Sequence, residues 1–118
     1  MTATQVALVN TALRLVRAHP ARYRRVTRLS AKLGISRRTL HRAFRAVRGE
    51  TTDHAIARVR LLHALELVAA GLLVRDAARI AGYPDPFTMS NQCKRLLGIR
   101  PTAARRPGWR APELEEAS

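Results

Sequence analysis

The sequence predicts an all-α fold of about seven helices, in which two helix-turn-helix subdomains are joined by a long linker helix. Three observations carry that expectation. Residues 27–49 read as two short helices about a tight glycine corner, residues 74–98 repeat the same logic, and the stretch between them reads as one helix that is apolar on two sides. The repeat is close in length, since Gly34 to Gly49 spans 15 positions and Gly82 to Gly98 spans 16. The expected organisation is a first subdomain at residues 4–50, a linker helix at 51–71, a second subdomain at 72–106 and a disordered tail at 107–118.

In chain order, Val6, Val9, Leu13 and Val16 keep a helical rhythm, widened by Leu8, Ala12 and Leu15, and Pro20 stops this first helix near His19. Residues 21–25 form a basic connector in which Tyr23 can pack and Arg22, Arg24 and Arg25 can touch phosphates. Leu29 and Leu33, four apart, share a face of the next helix, and Gly34 follows where a helix end takes a positive φ. Ser36 is the expected N-cap of the following helix. Behind it Leu40, Phe44 and Val47 recur on one side, and Arg38, His41, Arg42 and Arg45 fall on the other. One face suits a core and the other an acidic partner.

Thr51, Thr52 and Asp53 offer N-caps for the linker helix, which Gly71 ends. Its apolar residues sort into two stripes, Ile56, Val59 and Leu67 with His63 on one, and Ala57, Leu61, Ala64 and Val68 on the other. In the second unit, Ala77, Ala78 and Ala81 lie on a short helix ended by Gly82. Asp85 then caps a helix with Pro86 at its first position, where Met89, Cys93 and Leu97 form a core stripe. Pro101 starts a short capping helix to about Arg106, and the Pro, Gly and Glu content beyond it predicts disorder.

Charge narrows the partner. The 118 residues carry 22 Lys and Arg against 8 Asp and Glu, a net +14, and three of those acids lie beyond residue 112. Such a balance favours a polyanion. All the cations except Lys32 and Lys94 are arginines, which suit bidentate contacts to phosphate and guanine, although a GC-rich coding sequence also raises the Arg/Lys ratio. Cys93 is the single cysteine, so neither a disulfide framework nor a cysteine zinc cluster is expected, and the four histidines lack ligand spacing. No cofactor or metal is implied. No apolar run of about 18 residues suggests a membrane span and the N-terminus does not resemble a signal peptide, so a cytoplasmic protein is expected.

The ordered series of motifs resembles the AraC/XylS family of bacterial transcription regulators over roughly Leu8 to Arg106. The resemblance rests on Leu29, Leu33, Gly34, Ile35 and Ser36, then Leu40, Arg42, Phe44, Arg45 and Gly49, and in the linker on Arg60, Leu61, Ala64 and Leu67. In the second unit it rests on Gly82, Tyr83, Asp85 and Pro86, then Ser90, Lys94, Arg95, Gly98, Ile99 and Pro101. There are departures. The family usually carries an aromatic where Met89 and Cys93 stand, larger aliphatics at Ala77 and Ala81, and often an arginine at Asn91. Thr52 and Ala55 replace a common proline and aromatic, and Ala104 replaces the terminal aromatic. Smaller side chains predict a second unit less firmly packed than the first.

The resemblance implies a double-stranded DNA-binding regulator that inserts two recognition helices into successive major-groove segments about 34 Å apart, as a monomer. It implies base contacts from Arg38, His41 and Arg42 in the first unit and from Phe87, Thr88, Ser90 and Asn91 in the second, where Phe87 meets a thymine methyl or finishes packing. Arg37, Thr39, Arg45, Lys94 and Arg95 are expected on phosphates. RNA polymerase is the implied protein partner, and activation or repression are both open. The length fits the single-domain members of the MarA and SoxS type or a remnant of a longer regulator. Two other classes compete. A sequence-indifferent architectural binder would show a steep salt slope with little sequence preference. A repair methyltransferase, which carries a similar module, would need an activated cysteine, whereas Cys93 lies on a core stripe.

Overall fold

The computed structural model describes residues 1–111, and the acidic end of the expected tail, at 112–118, lies outside the described residues. Six α-helices and one 3-10 helix account for the regular structure of the described residues: α1 (Ala3–Ala18), α2 (Val26–Leu33), α3 (Arg37–Arg48), α4 (Thr52–Ala69), α5 (Val74–Ile80), α6 (Pro86–Leu97) and the 3-10 helix Pro101–Arg105. The fold is all-α, as the periodicity predicts.

Helix boundaries follow local chemistry. Thr2 and Gln5 form a reciprocal capping box that starts α1, Thr2 Oγ1 accepting from the Gln5 amide at 3.0 Å and Gln5 Oε1 accepting from the Thr2 amide at 2.9 Å. Ser36 caps α3 by accepting from the Thr39 amide at 3.1 Å, and Thr51 caps α4 through the His54 amide at 3.1 Å. Asp85 caps α6 through the Thr88 amide at 2.8 Å with Pro86 at the first helical position. Gly34, at φ +69°, makes the turn between α2 and α3, with the Ile35 amide reaching back to the Ser30 carbonyl at 3.1 Å.

Two buried clusters lie at opposite ends of α4. The first gathers Val9, Leu13 and Val16 of α1, Tyr23 of the connector, Leu29 of α2, Leu40 and Phe44 of α3, and Ile56 and Val59 from the first half of α4. The second gathers Leu61, Leu65 and Val68 from the second half of α4 with Ala77, Ala78, Tyr83, Met89, Cys93 and Ala104. The two faces of α4 are therefore divided along its length rather than as two full-length stripes. Leu67, expected beside Ile56 and Val59, packs against the second cluster. The reason is geometric: each half of the helix meets a different set of neighbours, so periodicity over the whole helix has no single apolar side to report.

Of the stretch expected to be a disordered tail, residues 107–111 are among the described residues. There Trp109, half-buried, packs against the second cluster and its amide donates to the Arg106 carbonyl at 3.1 Å. The core stripes are also less uniform than their spacing suggests, since Leu33, Val47 and Leu97 are only half-buried at their edges.

Candidate nucleic-acid interface

Packing of Leu40, Ala43 and Phe44 against the first cluster turns the opposite face of α3 outward. Arg37, Arg38, Thr39, His41, Arg42 and Arg45 are all exposed. The cap refines one of them. Ser36 Oγ donates to Thr39 Oγ1 at 2.9 Å, so the Thr39 hydroxyl proton remains able to donate elsewhere.

Burial of Met89 and Cys93 does the same for α6, leaving Phe87, Thr88, Asn91, Lys94 and Arg95 exposed and Ser90 half-buried. Phe87 is 79% exposed, which settles the alternative of a packing role against it. Its neighbours Met89 and Cys93 already fill the inner side of the helix. Thr88 Oγ1 donates to the Asp85 carboxylate at 3.0 Å, which leaves that hydroxyl only its lone pairs to offer a ligand. The same two Thr88 hydrogen bonds, the backbone one foremost, hold the Asp85 carboxyl below its ordinary range, so the cap is ionised at neutral pH.

The first unit also shapes a cleft of about 740 Å³ onto which three helix N-termini open, at Val26 of α2, Arg37 of α3 and Thr52 of α4. Helix N-termini carry partial positive charge and favour anions. Arg24, Arg25, Arg38 and His41 line the same cleft with Asp53 as its one carboxylate. Thr52 sits beneath it, 2% exposed, with its hydroxyl lacking a hydrogen-bond partner.

Two polar joints hold these faces in place, and neither follows from local sequence pattern. Glu50 lies between α3 and α4 and accepts from Arg58 at 2.7 Å and His54 Nδ1 at 2.8 Å, with Arg48 Nε at 3.5 Å. Burial works to raise its pKa, but the hydrogen bonds from Arg58 and His54 and the charges of Arg58 and Arg48 outweigh it, holding the carboxyl below its usual value of 4.5. A sequence signal existed: Glu50 is the first carboxylate in the chain.

The second joint centres on Arg60, midway along α4. Its Nε donates to the Ala81 carbonyl at 2.9 Å and its guanidinium lies 4.7 Å from the centroid of the Tyr83 ring. Tyr83 in turn donates to Gln92 of α6. Desolvation pushes the Tyr83 phenol up to about 12, so it stays a donor throughout the working range. The turn between α5 and α6 is thereby tied to the linker and to the second outward face. Gly82, in that turn, also approaches the connector so closely that a Cβ there would lie 2.7 Å from the Ala21 Cα. Contacts of this kind join residues far apart in sequence, which leaves no local pattern to read.

Cys93 is fully buried, and burial pushes its thiol up to about 11, so it is a neutral core side chain at physiological pH. Among the described residues no helix is long and apolar enough to cross a membrane.

An α-helical domain with a capped, glycine-cornered helix pair whose second helix turns a cationic face outward is a helix-turn-helix DNA-binding domain. A family profile described as a helix-turn-helix domain matches residues 29–107. The chain belongs to this AraC-type helix-turn-helix family and is a DNA-binding transcription regulator. Its fold is similar to that of the C-terminal domain of AraT, a response regulator from Geobacillus stearothermophilus, with a TM-score of 0.73, 23% sequence identity and 84% of each chain covered. No curated protein matches the sequence significantly.

Proposed function

We propose that the protein binds double-stranded DNA sequence-specifically, with α3 and α6 entering successive major-groove segments on one face of the duplex, and that it does so as a monomer in the cytoplasm. The observation that carries this reading is the pair of outward polar faces on α3 and α6, both tied to α4, the first through Glu50 and the second through Arg60. The described residues extend 40 Å along their longest axis, which compares with about 34 Å for one helical turn of DNA. A single chain then carries both readers without a partner copy.

In this reading Arg38, His41 and Arg42 read base edges from α3, Arg42 by bidentate donation to guanine O6 and N7. Arg37, Thr39 and Arg45 hold phosphates, Thr39 with its free hydroxyl proton. From α6, Asn91 pairs with adenine and Phe87 meets a thymine methyl. Thr88, its proton engaged by Asp85, acts as an acceptor for an amino group such as cytosine N4. Lys94 and Arg95 hold phosphates, and Ser90 contributes its hydroxyl at the edge of the contact. A regulator so bound meets RNA polymerase at the promoter. The buried neutral thiol of Cys93 offers no activated nucleophile for a cysteine-dependent methyl transfer.

The test compares Arg42→Ala with Arg45→Ala on a cognate duplex and on random DNA. Arg42→Ala is expected to lose about 1 to 3 kcal/mol mainly on the cognate duplex, and Arg45→Ala to weaken both duplexes alike. Equal losses on the two duplexes for both variants would remove Arg42 from base reading.

A further inference from the structure

A second cationic cleft, of about 530 Å³, lies on the seam between the two units, where Arg22, Arg24, Arg25 and Arg28 surround Gly82 of the second turn. The close approach of Gly82 to Ala21 closes this seam, so the cleft is built by both units together. All four arginines are exposed, and among the described residues no carboxylate pairs with any of them. Arg25, the N-cap of α2, makes no side-chain cap hydrogen bond, so no side chain of the cap occupies the first amides of that helix. Four unpaired cations held together repel one another, and an anion between them relieves that repulsion.

The position of the cleft selects the anion. It shares Arg24, Arg25 and Thr27 with the cleft beside α3, and Gly82 lies four residues before α6 begins. A basic strip therefore runs from the start of one outward helix to the turn that launches the other. When two successive major-groove segments on one face of B-DNA are filled, the backbones flanking the intervening minor groove face the protein.

We infer that the seam cleft grips the phosphates of the base pairs lying between the two major-groove segments, making the connector a third, central contact. This rests on the two-segment reading above. Its ligand is backbone rather than base edge, so it adds affinity and favours spacers whose minor groove is narrow and strongly negative. It also draws the centre of the duplex towards the seam.

The test uses the full chain and the duplex enriched from a random pool, with salt titrations of binding. Arg22→Gln/Arg28→Gln is the variant, because these two arginines line the seam cleft and not the cleft beside α3. Each phosphate contact contributes about 0.9 to the slope of log K against log salt, so the double variant should lower the slope by about 1.8. The same spacer carrying neutral methylphosphonate linkages should lower the wild-type slope similarly, and the double variant should lose nothing more on it. A full slope for the variant on the unmodified duplex, or losses that simply add on the methylphosphonate duplex, would overturn the central contact while leaving the two readers intact. If no duplex is enriched, the two-segment reading fails and takes this one with it.

Discussion

Gly82→Ala loads the joint between the two units, and the structure allows its cost to be separated into two parts. The backbone at Gly82 has φ +82°, a region in which an L side chain costs about 1 to 2 kcal/mol. The added methyl would also lie 2.7 Å from the Ala21 Cα and 3.1 Å from its Cβ. Relief requires backbone movement of the connector, and forced overpacking of this kind costs about 1 to 3 kcal/mol. Gly98 supplies the internal control. Its φ is +69° and nothing lies within 4 Å of a Cβ built there, so Gly98→Ala carries the conformational cost without the clash. Urea unfolding of both variants should give Gly82→Ala the lower stability by the clash component, about 1 to 3 kcal/mol. At a slope of about 1 to 3 kcal/mol per molar urea, that is a midpoint difference on the order of 1 M. Equal midpoints would refute the claim that the connector and the second turn are in hard contact.

Thr52→Val removes a buried hydroxyl that has no partner, so it should stabilise the protein by about 1 to 3 kcal/mol in the same urea assay, and an unchanged or lower midpoint would argue that the hydroxyl is satisfied. Glu50 has a folded pKa below its unfolded value, so its contribution is present above about pH 4.5 and is lost as pH falls through the lower folded value. Glu50→Gln should therefore cost about 1.5 to 3 kcal/mol at neutral pH, with the gap to wild type closing on acidification. A gap that is constant with pH would show that the carboxylate charge is not what Arg58 and His54 respond to. Amide exchange should be faster in residues 74–98 than in residues 27–49, because the second cluster draws on Ala77, Ala78, Ala81 and Ala104 where the first has Leu29, Leu40 and Phe44. The reverse order would mean that side-chain size is not limiting the second unit.

What could be read from the sequence was what is encoded locally. Ser36 and Asp85 stood out as caps because their short polar side chains precede helical periodicity, and the inner residues of α3 and α6 because each of those helices buries one side only. The α1 cap is encoded just as locally, in the three-residue spacing of Thr2 and Gln5. Periodicity marks α4 as two-faced but places Leu67 beside Ile56 and Val59, whereas it serves the second cluster, because spacing along one helix does not say which neighbour a buried residue meets. The packing roles of Arg60 and Gly82 depend on contacts across more than 20 residues, for which a single sequence holds no pattern. Spacing leaves Phe87 open between packing and contact, and its 79% exposure shows that it is not packed in the core.

Selection of bound duplexes from a random pool bears most directly on the paired-reader account. The account predicts a split site, two short conserved blocks whose centres lie about one turn, roughly 10 to 10.5 base pairs, apart, with a spacer of relaxed sequence between them. A single block would show that α6 does not read bases, and a pool without enrichment would show that neither helix does.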